Sequence, residues 1–116
     1  MAIRYFIPPN SSYFYECKKC LIPFANLDDI TSAEFTRRGI KSYQFSKVVN
    51  IKFGKIFDTN IRSKHYLIQN AYCSGCLTKV GWRYEFTFND EEQHKEDMTI
   101  INKAYVIHHV DPNCKE

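Results

Sequence analysis

The chain has 116 residues, 44% of them hydrophobic and 25% charged, with a net charge of +3. These are the proportions of one ordinary globular domain, large enough to bury a core and too small for a string of domains. No apolar run approaches the roughly 18 residues of a transmembrane helix. The opening MAIRYFIPPN, interrupted by Arg4, Pro8 and Pro9, has no signal-peptide core, so a cytoplasmic and also nuclear location is expected.

In chain order, residues 1–12 read as an extended arm closed by a Pro-Pro-Asn turn, residues 13–110 as the folded domain, and residues 111–116 as a C-terminal tail. Tyr13 to Glu16 is expected to be a short strand that delivers Cys17. After Cys20, LIPFANLDDITSAEF shows no helical period and Asn26 to Asp29 reads as a turn; Arg37-Arg38-Gly39 reads as a second, basic turn. Ser42 to Phe53 is expected to be one long strand with Tyr43, Phe45, Val49 and Ile51 facing a core, ended by Gly54. KIFDTNI follows as a hairpin partner that returns near Asp58-Thr59-Asn60, and SKHYLIQNAYC leads back to a second cysteine pair.

The most strongly patterned strand comes next, with Val80, Trp82, Tyr84, Phe86 and Phe88 alternating onto one face. Trp82 reads as a core residue of that face, with a place in an open ligand pocket as the other reading. NDEEQHKED is expected to be a solvated charged turn or a single helical turn, and MTIINKAYVIHHV a final strand buried on both faces over part of its length. The 16% aromatic share favours strands throughout, and favours a surface that packs on a partner.

The chemistry lies in two C-x-x-C pairs, Cys17/Cys20 and Cys73/Cys76, with residues 21–72 between them. Four thiolates make a closed tetrahedral set, which suits one structural zinc and leaves no open position for catalysis. Compact zinc ribbons separate their pairs by about 15–20 residues, so this metal is expected to pin distant parts of one domain together. Two disulfides or plain buried thiols are the other readings; disulfides would need an oxidising compartment. Cys114, in DPNCKE, reads as a free thiol at a frayed end.

The set of C-x-x-C, a 52-residue interval, C-x-x-C and then GWRYEF resembles the Yippee family. The likeness runs through CLIPFANLDDI, YQFSKVVN, Gly54, TKVGWRYE and QHKEDMTII, and spans roughly residues 13 to 107. It implies a mainly β fold, a β-tent of two antiparallel sheets with one zinc at the apex on Cys17, Cys20, Cys73 and Cys76. Three places depart from the family: Ile40 and Asp97 stand where it has glycine, and Ser63-Lys64 replaces a Thr-Gly pair, which puts Tyr66 at the family's histidine position and His65 one place earlier.

The resemblance implies a non-catalytic protein, a monomer by itself, that docks on a large assembly. One branch resembles the dormancy factors of microsporidian ribosomes, which block a tRNA site. For that reading Arg37, Arg38, Lys41, Lys52, Lys55, Arg62, Lys64 and His65 are the candidate contacts to RNA or a partner, and solubility is the ordinary use of any one of them. The second reading is a regulator of a multi-subunit ubiquitin ligase. The third is a methionine sulfoxide reductase-like enzyme, for which Cys114 is the sole candidate nucleophile and lacks a positioned base.

Overall fold

The structure, a computed structural model, describes residues 13–110. Among the described residues nine strands follow one another: β1 Tyr13–Cys17, β2 Pro23–Asn26, β3 Ile30–Arg37, β4 Ile40–Phe45, β5 Ile51–Ile61, β6 Lys64–Cys73, β7 Lys79–Thr87, β8 Thr99–Asn102 and β9 Val106–Val110. They form two antiparallel sheets, a small one ordered β2-β1-β9 and a large one ordered β3-β4-β8-β7-β6-β5. The expected arm and tail, and Cys114 with them, lie outside the described residues.

Two short 3₁₀ turns carry the chain between the sheets. Leu27–Asp29 takes it from β2 to β3, with the Asn26 N–H donating to the Asp29 carboxylate at 3.2 Å. Lys103–Tyr105 takes it back from β8 to β9, where the Asn102 side-chain oxygen accepts from the Ala104 N–H at 2.8 Å. An asparagine or aspartate that satisfies backbone donors in this way offers the chain an alternative to continued ladder pairing. MTIINKAYVIHHV, expected as one strand, is therefore two strands in different sheets, and the stretch after Cys20 holds β2 and most of β3.

The hydrophobic interior is double. The first core lies between the sheets and includes Tyr15, Ile22, Phe24, Phe45, Val80, Ile101 and Val106, together with Cys17 and Cys73. The second lies on the other face of the large sheet and is built from Ile61, Tyr66, Ile68, Tyr84 and Ile100, with Trp82 and Met98 packed against it. Strand β8 divides them, because successive side chains point to opposite faces: Ile100 enters the second core and Ile101 the first, each at most 1% exposed. That is the burial on both faces expected from its unbroken apolar run.

Register shifts distribute the aromatic residues. On β7, Leu67 pairs with Phe86 but Ile68 pairs with Tyr84, so Glu85 is an extra residue and the alternation reverses there. Tyr84 stays buried and Thr87 becomes so, while Phe86 and Phe88 are exposed, contrary to the single apolar face expected of them. A second shift around Val80 puts that residue in the first core and Trp82 beside the second. On β5 a shift between Phe53 and Ile56 lets the strand run past Gly54 to Ile61, so the return is at Arg62-Ser63 and not near Asp58-Thr59-Asn60. The expected long strand from Ser42 to Phe53 is likewise broken at Ser46–Asn50.

One glycine is needed where it stands. A Cβ on Gly81 would lie 1.8 Å from the Ile100 carbonyl oxygen, so only hydrogen allows β7 and β8 to approach at the partition between the cores. The large sheet is also curled. Its outermost strands are β3 and β5, yet the Arg62 guanidinium after β5 donates to the Thr36 carbonyl of β3 and straps the tips of two hairpins together.

Candidate metal centre and cationic end

Each cysteine pair sits on a tight turn with the same backbone bonds. The Cys17 N–H donates to the Ile22 carbonyl at 2.9 Å and the Leu21 N–H to the Cys17 carbonyl at 2.8 Å. In the second turn the Cys73 N–H donates to Thr78 at 2.9 Å and the Leu77 N–H to Cys73 at 2.7 Å. Leu21 and Leu77 close these turns at φ of 64° and 61°, left-handed values that cost a non-glycine residue roughly 1–2 kcal/mol. Both leucines are exposed, so their side chains do not hold the turns.

The turns bring the four sulfurs together from strand ends 53 to 59 residues apart in sequence. Cys17 and Cys76 lie 3.8 Å apart, Cys20 and Cys73 3.4 Å, and all four Sγ atoms fall within 4.8 Å of one another. A Zn–S bond of about 2.3 Å in a regular tetrahedron sets neighbouring sulfurs about 3.8 Å apart, so the set fits one zinc ion. It does not fit disulfides, which need about 2.05 Å. All four are free thiols here, with Cys17 and Cys73 buried and Cys20 and Cys76 half-buried.

Without a cation the cluster is electrostatically uncomfortable. Burial pushes the Cys17 thiol up and the Cys73 thiol well above its usual range, because a thiolate in an apolar core lacks solvation. Cys76 is also penalised by burial, but the Thr78 hydroxyl, 3.2 Å from its sulfur, and the Thr78 backbone outweigh that and lower it to about 6. A bound divalent cation supplies what the buried thiolates lack and completes the first core, of which Cys17 and Cys73 are members. The loop Ser46–Asn50 adds stitches to the same end: the Val49 N–H donates to Phe24, the Asn50 carbonyl accepts from Ser74, and the Asn50 amide donates to Pro23 at 2.8 Å.

The eight cations and near-cations proposed as contacts divide by position. Arg37 ends β3 and Arg38 enters the β3–β4 turn, with Lys41 just beyond it; Arg62 lies in the β5–β6 turn and Lys64 begins β6. The Arg62–Thr36 bond gathers these two turns at the end of the large sheet where β3 and β5 come together. His65 is nearby in sequence but engaged, 2.8 Å from the Asp58 carboxylate and stacked on Phe88 at 4.3 Å between centroids. Lys52 is not brought to the hairpin tips. It pairs with Tyr72 next to Cys73, on the metal side of the edge strand, and Lys55 follows in the β5 bulge.

The sequence departures fall on meaningful geometry. Asp97 and Ser63 have φ of 70° and 68°, the left-handed region that favours glycine, and Ile40 begins β4 with its side chain exposed. Asp97 also gains a partner that glycine could not have, since Arg83 donates to its carboxylate, to Glu85 and, at 2.9 Å, to the Gln69 side chain. Arg83, which also sits 5.4 Å over the Phe53 ring, was not singled out by sequence pattern, because strand alternation alone marks it only as outward-facing.

Two antiparallel sheets hinged on a closed four-cysteine site define a zinc-stapled β domain of the tent type. The family described as Yippee zinc-binding/DNA-binding/Mis18, centromere assembly matches residues 13–110, and the chain belongs to it. A protein of Oryza sativa subsp. japonica named as yippee-like is 34% identical over 94 residues, 81% of this chain and 79% of that protein. Among solved structures, the crystal structure of the Mis18 'Yippee-like' domain superposes with a TM-score of 0.65 at 15% identity, covering 84% of this chain and 94% of that one. At that identity the likeness speaks for the fold alone. Membership assigns the cysteine cluster one structural zinc, in agreement with the sulfur geometry.

Proposed function

We propose that the protein is a non-catalytic docking module, in which the zinc makes the body rigid and the cationic end meets an RNA-rich assembly, the ribosome in a dormant state, so as to occupy a tRNA site. The observation that carries this reading is the convergence of Arg37, Arg38, Lys41, Arg62 and Lys64 on one end through the Arg62–Thr36 strap. Cations from two separate hairpins, held at fixed spacing on a sheet, can meet several phosphates at once without ordering a flexible loop first. The closed thiolate set offers no open coordination position for a substrate, which supports a structural and not a catalytic metal.

The test is co-sedimentation with ribosomes from resting cells across a salt series. Phosphate contacts release counterions, so binding should fall steeply with added salt and should weaken further when Arg37 and Arg38 are both changed to Glu. Failure to enter the ribosomal fraction at low salt would discard the reading. Capture of a ubiquitin-ligase subunit that persists at high salt would put the adaptor reading in its place.

A further inference from the structure

Two cavities meet on the large sheet. One of about 290 Å³ is bounded by Ile40, Ser42, Lys79, Val80, Gly81, Trp82, Asn102 and Tyr105. The other, of about 210 Å³, is bounded by Arg37, Arg38, Ile40, Ser42 and Trp82. Their shared boundary of Ile40, Ser42 and Trp82 makes them one cleft. Its charge is one-sided, with two guanidiniums at one end, the Lys79 ammonium at the other and no acidic residue among the lining groups. The wall common to both cavities is the chain's single indole, held at 4.7 Å edge-to-face with Tyr84. Asn102 commits its side-chain oxygen to the Ala104 N–H, which leaves its NH₂ group to donate to a carbonyl. Ser42, 6% exposed, supplies a hydroxyl that can donate or accept.

A planar wall, a small set of polar groups and cations at the rim are the features that select a flat heteroaromatic ring bearing an anionic group. We propose that this cleft binds a single nucleotide, with the base against Trp82 and the phosphate on Arg37 and Arg38. The proposal rests on the RNA-docking reading and deepens it by naming what the surface holds: one unstacked residue of a strand, or the same chemistry as a free mononucleotide. Arg recognises phosphate through paired N–H donors, and base-on-aromatic stacking tolerates every base, so the site discriminates for phosphate more than for base identity. Gly81 belongs to the same design, since its missing side chain keeps the sheet close-packed beneath the larger cavity.

Because Trp82 is the only tryptophan, its fluorescence reports on the cleft directly. The zinc-loaded full chain is titrated with uridine and adenosine monophosphates, with the corresponding nucleosides, with inorganic phosphate and with a short single-stranded oligoribonucleotide. Saturable change with the monophosphates is expected, at least tenfold weaker for the nucleosides. The same loss is expected for Arg37→Ala with Arg38→Ala, and for Ile40→Glu, which sets a carboxylate on an exposed strand start and leaves both cores intact. An oligonucleotide at least tenfold tighter than the monophosphates assigns the natural source to RNA; equal affinity assigns it to free nucleotide. The proposal is overturned if neither monophosphate nor oligonucleotide alters the emission up to millimolar concentration. It is also overturned if nucleosides bind as well as nucleotides, if phosphate alone binds as well as either, or if the variants bind unchanged. Ribosome sedimentation without any Trp82 response sinks this proposal alone, and a Trp82 response without sedimentation sinks the ribosomal reading alone.

Discussion

The two ends of the molecule are held by different physics. At the metal end, four sulfurs within 4.8 Å complete the first core, and the backbone of both knuckles is committed to bonds with neighbouring loops. At the far end the second core is closed by aromatic contacts, Tyr66 on Tyr84 at 4.9 Å and Trp82 on Tyr84 at 4.7 Å, with the strap from Arg62 to Thr36 beside them. The first end has few degrees of freedom left. The second displays cations, and a cleft runs from it toward Lys79, which pairs with Tyr72 beside Cys73.

The largest way to break that asymmetry is to remove the metal. Chelation removes an apparent binding free energy on the order of 10–16 kcal/mol, more than the net stability of a typical domain, so both ends should unfold together. Loss of far-ultraviolet strand signal and of Trp82 emission at one chelator midpoint is the expected result; a metal-free protein with its full strand signal would refute it. The ligands must be thiolates, so zinc affinity should fall as pH falls, because protons compete for the same sulfurs. Metal release followed by a colorimetric indicator across a pH series measures this.

A smaller effect is expected at the partition. Gly81→Ala puts a methyl group into the Ile100 carbonyl and should cost about 3 kcal/mol or more, measured by denaturant midpoint on the zinc-loaded protein. Smaller again is Arg62→Ala, which cuts the strap and should cost about 1 kcal/mol; because zinc binding is coupled to folding, apparent zinc affinity should fall by about the same amount, roughly fivefold, and no more. A much larger fall in zinc affinity would mean that the strap holds the metal site itself, and the comparison would fail. The smallest change is Asp97→Gly. Relief of a left-handed backbone and loss of an exposed partner for Arg83 oppose each other, and the net shift should stay within about 0.5 kcal/mol.

Much of the metal end was legible in advance, since C-x-x-C spacing is a local signature of a turn that presents two thiolates. The long interval from Leu21 to Tyr72 indicated a staple between distant segments, and β1 and β6 are the strands that it joins. The family likeness supplied the two-sheet arrangement. Less legible was where the strands break: Ser46–Asn50 carries the chain from β4 across to the far edge of the same sheet and Lys103–Tyr105 carries it between the sheets, and neither contains a proline or a glycine. Phe86 and Phe88 continued an apolar alternation, yet an extra residue at Glu85 turned them outward. A bulge belongs to a pair of strands, and one strand's sequence does not contain it.

Residue types and spacing by themselves determined the four metal ligands, the predominance of strands, the basic turn at Arg37-Arg38 and the double burial of Thr99–Asn102, because each depends on neighbours a few positions away along the chain. Only the tertiary structure decided that two cores exist in place of one, that Arg62 reaches Thr36 to gather the cations, and that Trp82 walls a cleft between Arg37 and Lys79. Those outcomes follow from strand pairing and sheet curvature, long-range terms to which a local pattern is blind.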